Sequence, residues 1–163
     1  MPTRINIVKE IKMKPRIVNR EAFVVLGVIG HFNSAAENFG PLWAKYMKYH
    51  EQIEQLGTSE GHYGVYLNAD HTKPIDYLAG MAVDTIETAP EGTQVREIPA
   101  AQYAVFACEF TDIGPTYGFI WNEWLNNSTY QQDNTKLGFD YFPPGTTDGP
   151  SPIEIWFPVK KKG

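Results

Sequence analysis

The chain has one cysteine, Cys108, in 163 residues. No internal disulfide is available, and a reducing compartment is the expected setting. Continuous hydrophobic sequence is short: the longest apolar stretch, Ala22 to Gly30, is about half of what a bilayer-spanning helix needs, so no membrane span is predicted. No secretory-type apolar run follows Arg4, Lys9, Lys12 and Lys14, and a cytoplasmic protein is expected. Positive charge is also scarce. Lys and Arg number 14 against 19 Asp and Glu, a formal net charge of -5, whereas neutralising phosphates takes a clustered basic excess; direct DNA binding is not expected. The basic residues of positions 4 to 20 and the run Lys160, Lys161, Lys162 read as solvated terminal charge, with a partner contact as the alternative. Metal-ligand spacing is absent around His31, His50, His62 and His71, and no phosphate loop, nucleophile elbow or dinucleotide fingerprint occurs. No metal or cofactor is expected, and Cys108, set in an apolar run, reads as core.

What the chain does have is 42% hydrophobic and 13% aromatic composition, enough apolar surface for one ordinary domain. Its order of elements repeats. Phe23 to Ile29 reads as a strand, Leu42, Tyr46, Tyr49, Ile53 and Leu56 as one helix face ending at Gly57, and His62 to Ala69 with Ile75 to Val83 as two strands joined by a turn. Tyr103 to Cys108, a helix along Tyr117, Ile120, Trp121, Trp124 and Leu125, and strands at Leu137 to Phe142 and Ile153 to Val159 restate that order. Pro41 matches Pro115 in the first helical turn, where its missing N–H costs nothing; Gly64 matches Gly138 and Val83 matches Val159. The expectation is an α+β fold of duplicated strand-helix-strand-strand halves, 15–84 and 93–159, related by a pseudo-twofold. Residues 1–14 form an N-terminal extension and 85–93 the connector. Two helices would cover one face of a joined antiparallel sheet, and the other face would curve around a ligand cleft between the halves.

The last strand carries the sharpest local signal. Alternation puts Ile153, Ile155, Phe157 and Val159 on one face and Glu154 with Trp156 on the other. In the strand before it, Phe139 and Tyr141 alternate with Asp140 and Phe142. If the two strands pair as a hairpin, two acids and several rings share a small area. A carboxylate among rings complements a lipophilic cation, since ring faces attract positive charge and the acid supplies the counter-charge. An outward Glu on a solvated sheet face is the competing reading. Trp121 and Trp124 fit a core as well as a ligand wall, and Tyr66, Tyr77 and Tyr117 each bring a ring and a hydroxyl that needs a partner.

The string Ile98 to Phe106, then Thr116-Tyr117, Ile120-Trp121 and Trp124-Leu125, then Phe139-Asp140-Tyr141 and Glu154 to Val159, resembles the gyrase-inhibitor-like effector-binding domain, the C-terminal sensor of many AraC-type and MerR-type bacterial transcription activators. Tyr63-Gly64-Val65, Asp76-Tyr77, Gly80 and Val83 extend the resemblance over about residues 15 to 160. It implies a cleft for small hydrophobic or cationic aromatic molecules, with Glu154 as the pocket carboxylate and Asp140 as a second acid, one carbon shorter than the family's usual Glu. Trp156 stands where a Tyr is frequent. With no helix-turn-helix segment before residue 15, a stand-alone binding module is expected, its walls drawn from Trp156, Phe142, Tyr66, Tyr117, Trp121 and Tyr77. Two alternatives stay open: a hydrolase of reactive electrophiles using a pocket Glu and Tyr, and an inhibitor or adaptor that meets a protein partner.

Overall fold

Strand register decides every side-chain position in this molecule, because a one-residue slip moves a strand's apolar set to the opposite face. The computed structural model describes residues 13–34, 37–56, 61–68, 74–84 and 89–163. The readings for Gly57, Ala69, His71, positions 85–88 of the connector and the first twelve residues lie outside the described residues. Among the described residues nine strands form one antiparallel sheet: β1 Arg16–Arg20, β2 Phe23–Phe32, β3 His62–Tyr66, β4 Ile75–Ala82, β5 Gln94–Ile98, β6 Ala101–Glu109, β7 Tyr130–Gln132, β8 Phe139–Phe142 and β9 Pro152–Lys161. Their order is β1-β6-β9-β8-β3-β4-β2-β5, with β7 pairing β9 alone.

That order reads the same from both ends. From the central β3–β8 pair outward, the first half runs β3-β4-β2 and the second β8-β9-β6, and each half is completed by the opening strand of the other: β5 on β2, β1 on β6. Pro41 and Pro115, Trp43 and Tyr117, Gly64 and Gly138, and Tyr66 and Asp140 are all separated by the same 74 positions. The register agrees, since Gly64 lies opposite Asp140 and the Tyr66 N–H donates to the Gly138 carbonyl. Tyr66 and Asp140 therefore occupy equivalent places on either side of the pseudo-twofold.

Helices cover one face. In the first half α1, Gly40–Met47, and α2, His50–Glu54, are separated by a turn at Lys48 and Tyr49 rather than forming the single helix the spacing suggests. Pro41 sits in the first turn of α1, and Leu42, Tyr46 and Ile53 are buried against Leu26, Val28, Tyr77, Ala79 and Met81. In the second half a short 3₁₀ turn leads into α3, Ile113–Phe119, a wider π turn over Ile120–Trp124 and α4, Leu125–Asn127. Ile120 and its neighbours pack on Ala104, Phe106, Ile153, Ile155, Phe157 and Val159, the apolar set that alternation assigns to the helix side. No described helix is long and apolar enough to cross a membrane.

The opposite face is a filled core, which corrects the expectation of an open cleft there. Only Glu21 and Ala22 join β1 to β2, and only Pro99 and Ala100 join β5 to β6, although each pair lies at remote places in the sheet order. A two-residue link spans at most about 11 Å, so the sheet must curl until its ends approach. The interior of the curl buries Val25, Tyr63, Val65, Leu78, Ile98, Tyr103 and Phe139 together. The Arg20 guanidinium lies 3.8 Å from the centroid of Phe23 and within 5.4 Å of those of Tyr63, Phe139 and Trp156.

Candidate functional site

An accessible cavity lies on the outer, helix-bearing face, between the start of α1 and the start of α3, where the two halves meet. It has a volume of about 650 Å³, within the range of small-molecule pockets. The first half contributes Phe39, Gly40 and Trp43 from the α1 entry, His62 and Tyr66 from β3, and Tyr77 from β4. From the second half come Phe110, Ile113, Asp140, Phe142 and the loop residues Thr146, Thr147 and Asp148. Glu37 and Asn38 complete the rim, and among the described residues no Lys or Arg lines the space.

Asp140 is the buried acid of this site. It is 2% exposed and faces the helix side because its register partners are Gly64 on β3 and Ile155 on β9. The Tyr117 hydroxyl donates to its Oδ1 at 2.6 Å and the Tyr66 hydroxyl to its Oδ2 at 3.0 Å. Burial raises its pKa to about 7, against the lowering pull of the two hydroxyl bonds. Burial first, and the Asp140 charge second, hold the hydroxyls of Tyr66, Tyr77 and Tyr117 well above their ordinary range, so they stay protonated donors. Gly64 makes room for this arrangement: a Cβ there would collide with the Tyr77 hydroxyl. The neighbouring Trp43 side chain pulls the Tyr77 pKa back down against the effect of burial. Trp43 also meets Phe142, His62 and Tyr77 edge-on, with centroids 5.5, 6.0 and 6.3 Å away.

Of the residues singled out in the sequence, the structure brings Asp140, Phe142, Tyr66 and Tyr77 to the cavity wall, and Tyr117 reaches it through its hydroxyl on Asp140. It does not bring Glu154 or Trp156 there. The two acids do not share a face, because β8 pairs with β9 so that Tyr141, not Asp140, lies opposite Glu154, and Phe139 opposite Trp156. Glu154 sits on the curled side with its side chain 25% exposed, paired with Arg16 at 3.1 Å and accepting the Trp156 indole N–H at 3.2 Å. Trp156 stacks on Phe139, centroids 5.4 Å apart. Trp121, half-buried, packs edge-on against Phe157 at 5.1 Å, on the flank of the second half's core. Sequence reasoning passed over Phe39, Trp43, His62, Phe110 and Ile113. Trp43 had a signal, since it stands at the position equivalent to Tyr117.

Comparison with known proteins agrees with this architecture. A family model described as Cass2, integron-associated effector binding protein, matches residues 16–159. The transcriptional regulator BrlR of Pseudomonas aeruginosa is 26% identical over 152 residues, covering 90% of this chain; the chain spans 56% of that relative's length. Among solved structures, SAV2435 bound to tetraphenylphosphonium superposes with a TM-score of 0.75 at 14% identity, covering 91% of this chain and 94% of that one. The EcmrR C-terminal domain gives 0.67 at 13% identity, with 93% and 100% covered. An integron cassette protein from Vibrio cholerae gives 0.61 at 18% identity, with 91% and 97% covered. A duplicated, helix-covered antiparallel sheet with a pocket on its pseudo-twofold, matched along nearly its whole length by the family model, makes the chain a member of the Cass2 integron-associated effector binding proteins, of the gyrase-inhibitor-like type.

Proposed function

We propose that this chain is an effector-binding module whose pocket takes hydrophobic aromatic cations, with Asp140 as counter-ion, for sensing or sequestering such compounds. The observation that carries the reading is a buried carboxylate, held by two tyrosine hydroxyls and walled by rings, in a cavity that no described Lys or Arg lines. An acid so placed is unfavourable alone, because desolvation opposes its charged form. A bound cation supplies the missing charge, and ring faces add attraction of about 2 kcal/mol for a desolvated contact. A neighbour of the same fold, solved with tetraphenylphosphonium, supports the choice of a lipophilic cation. The counter-ion role first drawn for Glu154 passes in this proposal to Asp140, because the Glu154 carboxylate is already matched by Arg16.

The test is a titration with tetraphenylphosphonium at pH 8, followed by tryptophan fluorescence. Asp140→Asn is expected to weaken binding on the order of 100-fold, the scale of removing one partner of a buried charge pair, and Glu154→Gln to leave it unchanged. Equal affinities for wild type and Asp140→Asn would overturn the reading.

An acid–base role is a second reading, favoured by one observation: Asp140 titrates near neutral pH beside two tyrosine donors, which suits general acid–base work. Mass spectrometry after incubation with small strained electrophiles separates the two. Product formation that Asp140→Asn abolishes would support turnover, and unchanged compounds would support binding alone.

A further inference from the structure

His62 is a pocket residue whose ring is tied into a second cluster behind the wall. It faces the helix side in register with Phe142 and lines the cavity. Its Nε2 lies 3.3 Å from His50 Nδ1, and the Tyr46 hydroxyl lies 3.1 Å from that same nitrogen. His50 Nε2 is 3.7 Å from the Glu54 carboxylate. In one assignment of protons His50 Nδ1, with its single lone pair, is an acceptor shared between the Tyr46 hydroxyl and His62. His50 carries its proton on Nε2, toward Glu54, and accepts at Nδ1; neutral His62 donates from Nε2 and keeps a bare Nδ1. A further proton then goes to His62 Nδ1. It keeps the contact to His50 and places a full positive charge on the wall of a pocket whose described lining holds no Lys or Arg.

We propose that His62 decides which ligand charge the pocket accepts: the neutral ring serves as aromatic wall for a bound cation, and the imidazolium expels it. This rests on the cation reading of the same pocket. Among the described residues the groups that bear on the ring are His50 and Glu54 of α2, Trp43 and Tyr46 of α1, Phe142 and Asp140 of β8, and Glu37 and Asp148 at the rim. Burial, then His50, lowers the His62 pKa against the opposing pull of Glu54.

The experiment follows tetraphenylphosphonium, a permanent cation with no titration of its own, from pH 8 to pH 5 on wild type, His62→Gln, His62→Phe and Asp140→Asn, with triphenylphosphine oxide as uncharged control. One proton released per cation bound changes affinity by about tenfold per pH unit. Wild type should lose affinity at about that slope below pH 7 through Asp140, then steepen toward about a hundredfold per unit as His62 protonates. Both His62 variants should hold the single-proton slope throughout, and oxide binding should stay flat in every protein that folds. A wild-type slope that never exceeds one proton, or a His62 variant that tracks wild type, would overturn the gate while leaving the pocket reading intact. An unweakened Asp140→Asn would instead sink the pocket reading itself.

Discussion

Asp140 is held where its charge is least welcome, and the consequence is a pH signature. Its pKa in the folded chain is raised to about 7 from 3.8. Below pH 4 the carboxyl is protonated whether the chain is folded or not. Between pH 4 and 7 the unfolded chain has released the proton and the folded one retains it, so folding grows less favourable as pH rises; above pH 7 both are ionised and the penalty is constant. The shift corresponds to at most about 4 kcal/mol. Chemical denaturation of wild type and Asp140→Asn across that interval should show Asp140→Asn gaining stability on wild type with rising pH. Parallel curves for the two proteins would mean that the carboxyl is not desolvated.

At the scale of elements, the strands differ in how much the sequence says about them. β9 was legible because Ile153, Ile155, Phe157 and Val159 alternate cleanly with Glu154 and Trp156, and the structure keeps both sets on the faces so assigned. β8 was not. Three of its four residues are aromatic, so alternation carries no sign, and the direction of Asp140 is fixed by its pairing with Gly64 and Ile155, which is tertiary information. The edge strands β1 and β5 escaped notice for another reason: Arg16, Asn19 and Arg20, and Gln94, Arg96 and Glu97, give them the polar character that protects sheet edges. The close approach of β2 and β4 makes an independent prediction. Gly27 and Gly80 face each other in register, and a Cβ on Gly27 would run into the Ala79 carbonyl oxygen and the Gly80 Cα. Because those atoms are backbone and cannot swing aside, Gly27→Ala should cost on the order of 3 kcal/mol, read as a lowered urea midpoint; an unchanged midpoint would contradict the register.

Across the whole molecule, duplication and curling together put the site where it is. The exchange of β1 and β5 between halves closes the inner face into a core, so a ligand is left the outer face, at the seam where α1 and α3 begin. The pseudo-twofold brings equivalent positions into contact there, and the sequence breaks the symmetry chemically: Tyr66 in one half, Asp140 in the other, hydrogen-bonded to each other across the axis. The repeat was readable in element order and in Pro41, Pro115, Gly64 and Gly138; which face stays open depended on two-residue links between strands that the sequence alone did not mark as strands. The most direct test of the account is the proton count on binding. At pH 6.5, calorimetric titration of tetraphenylphosphonium in buffers of different ionisation enthalpy should show net proton release by wild type, as Asp140 ionises against the bound cation, and markedly less by Asp140→Asn. Tight binding with no proton released by wild type would contradict Asp140 as the counter-ion.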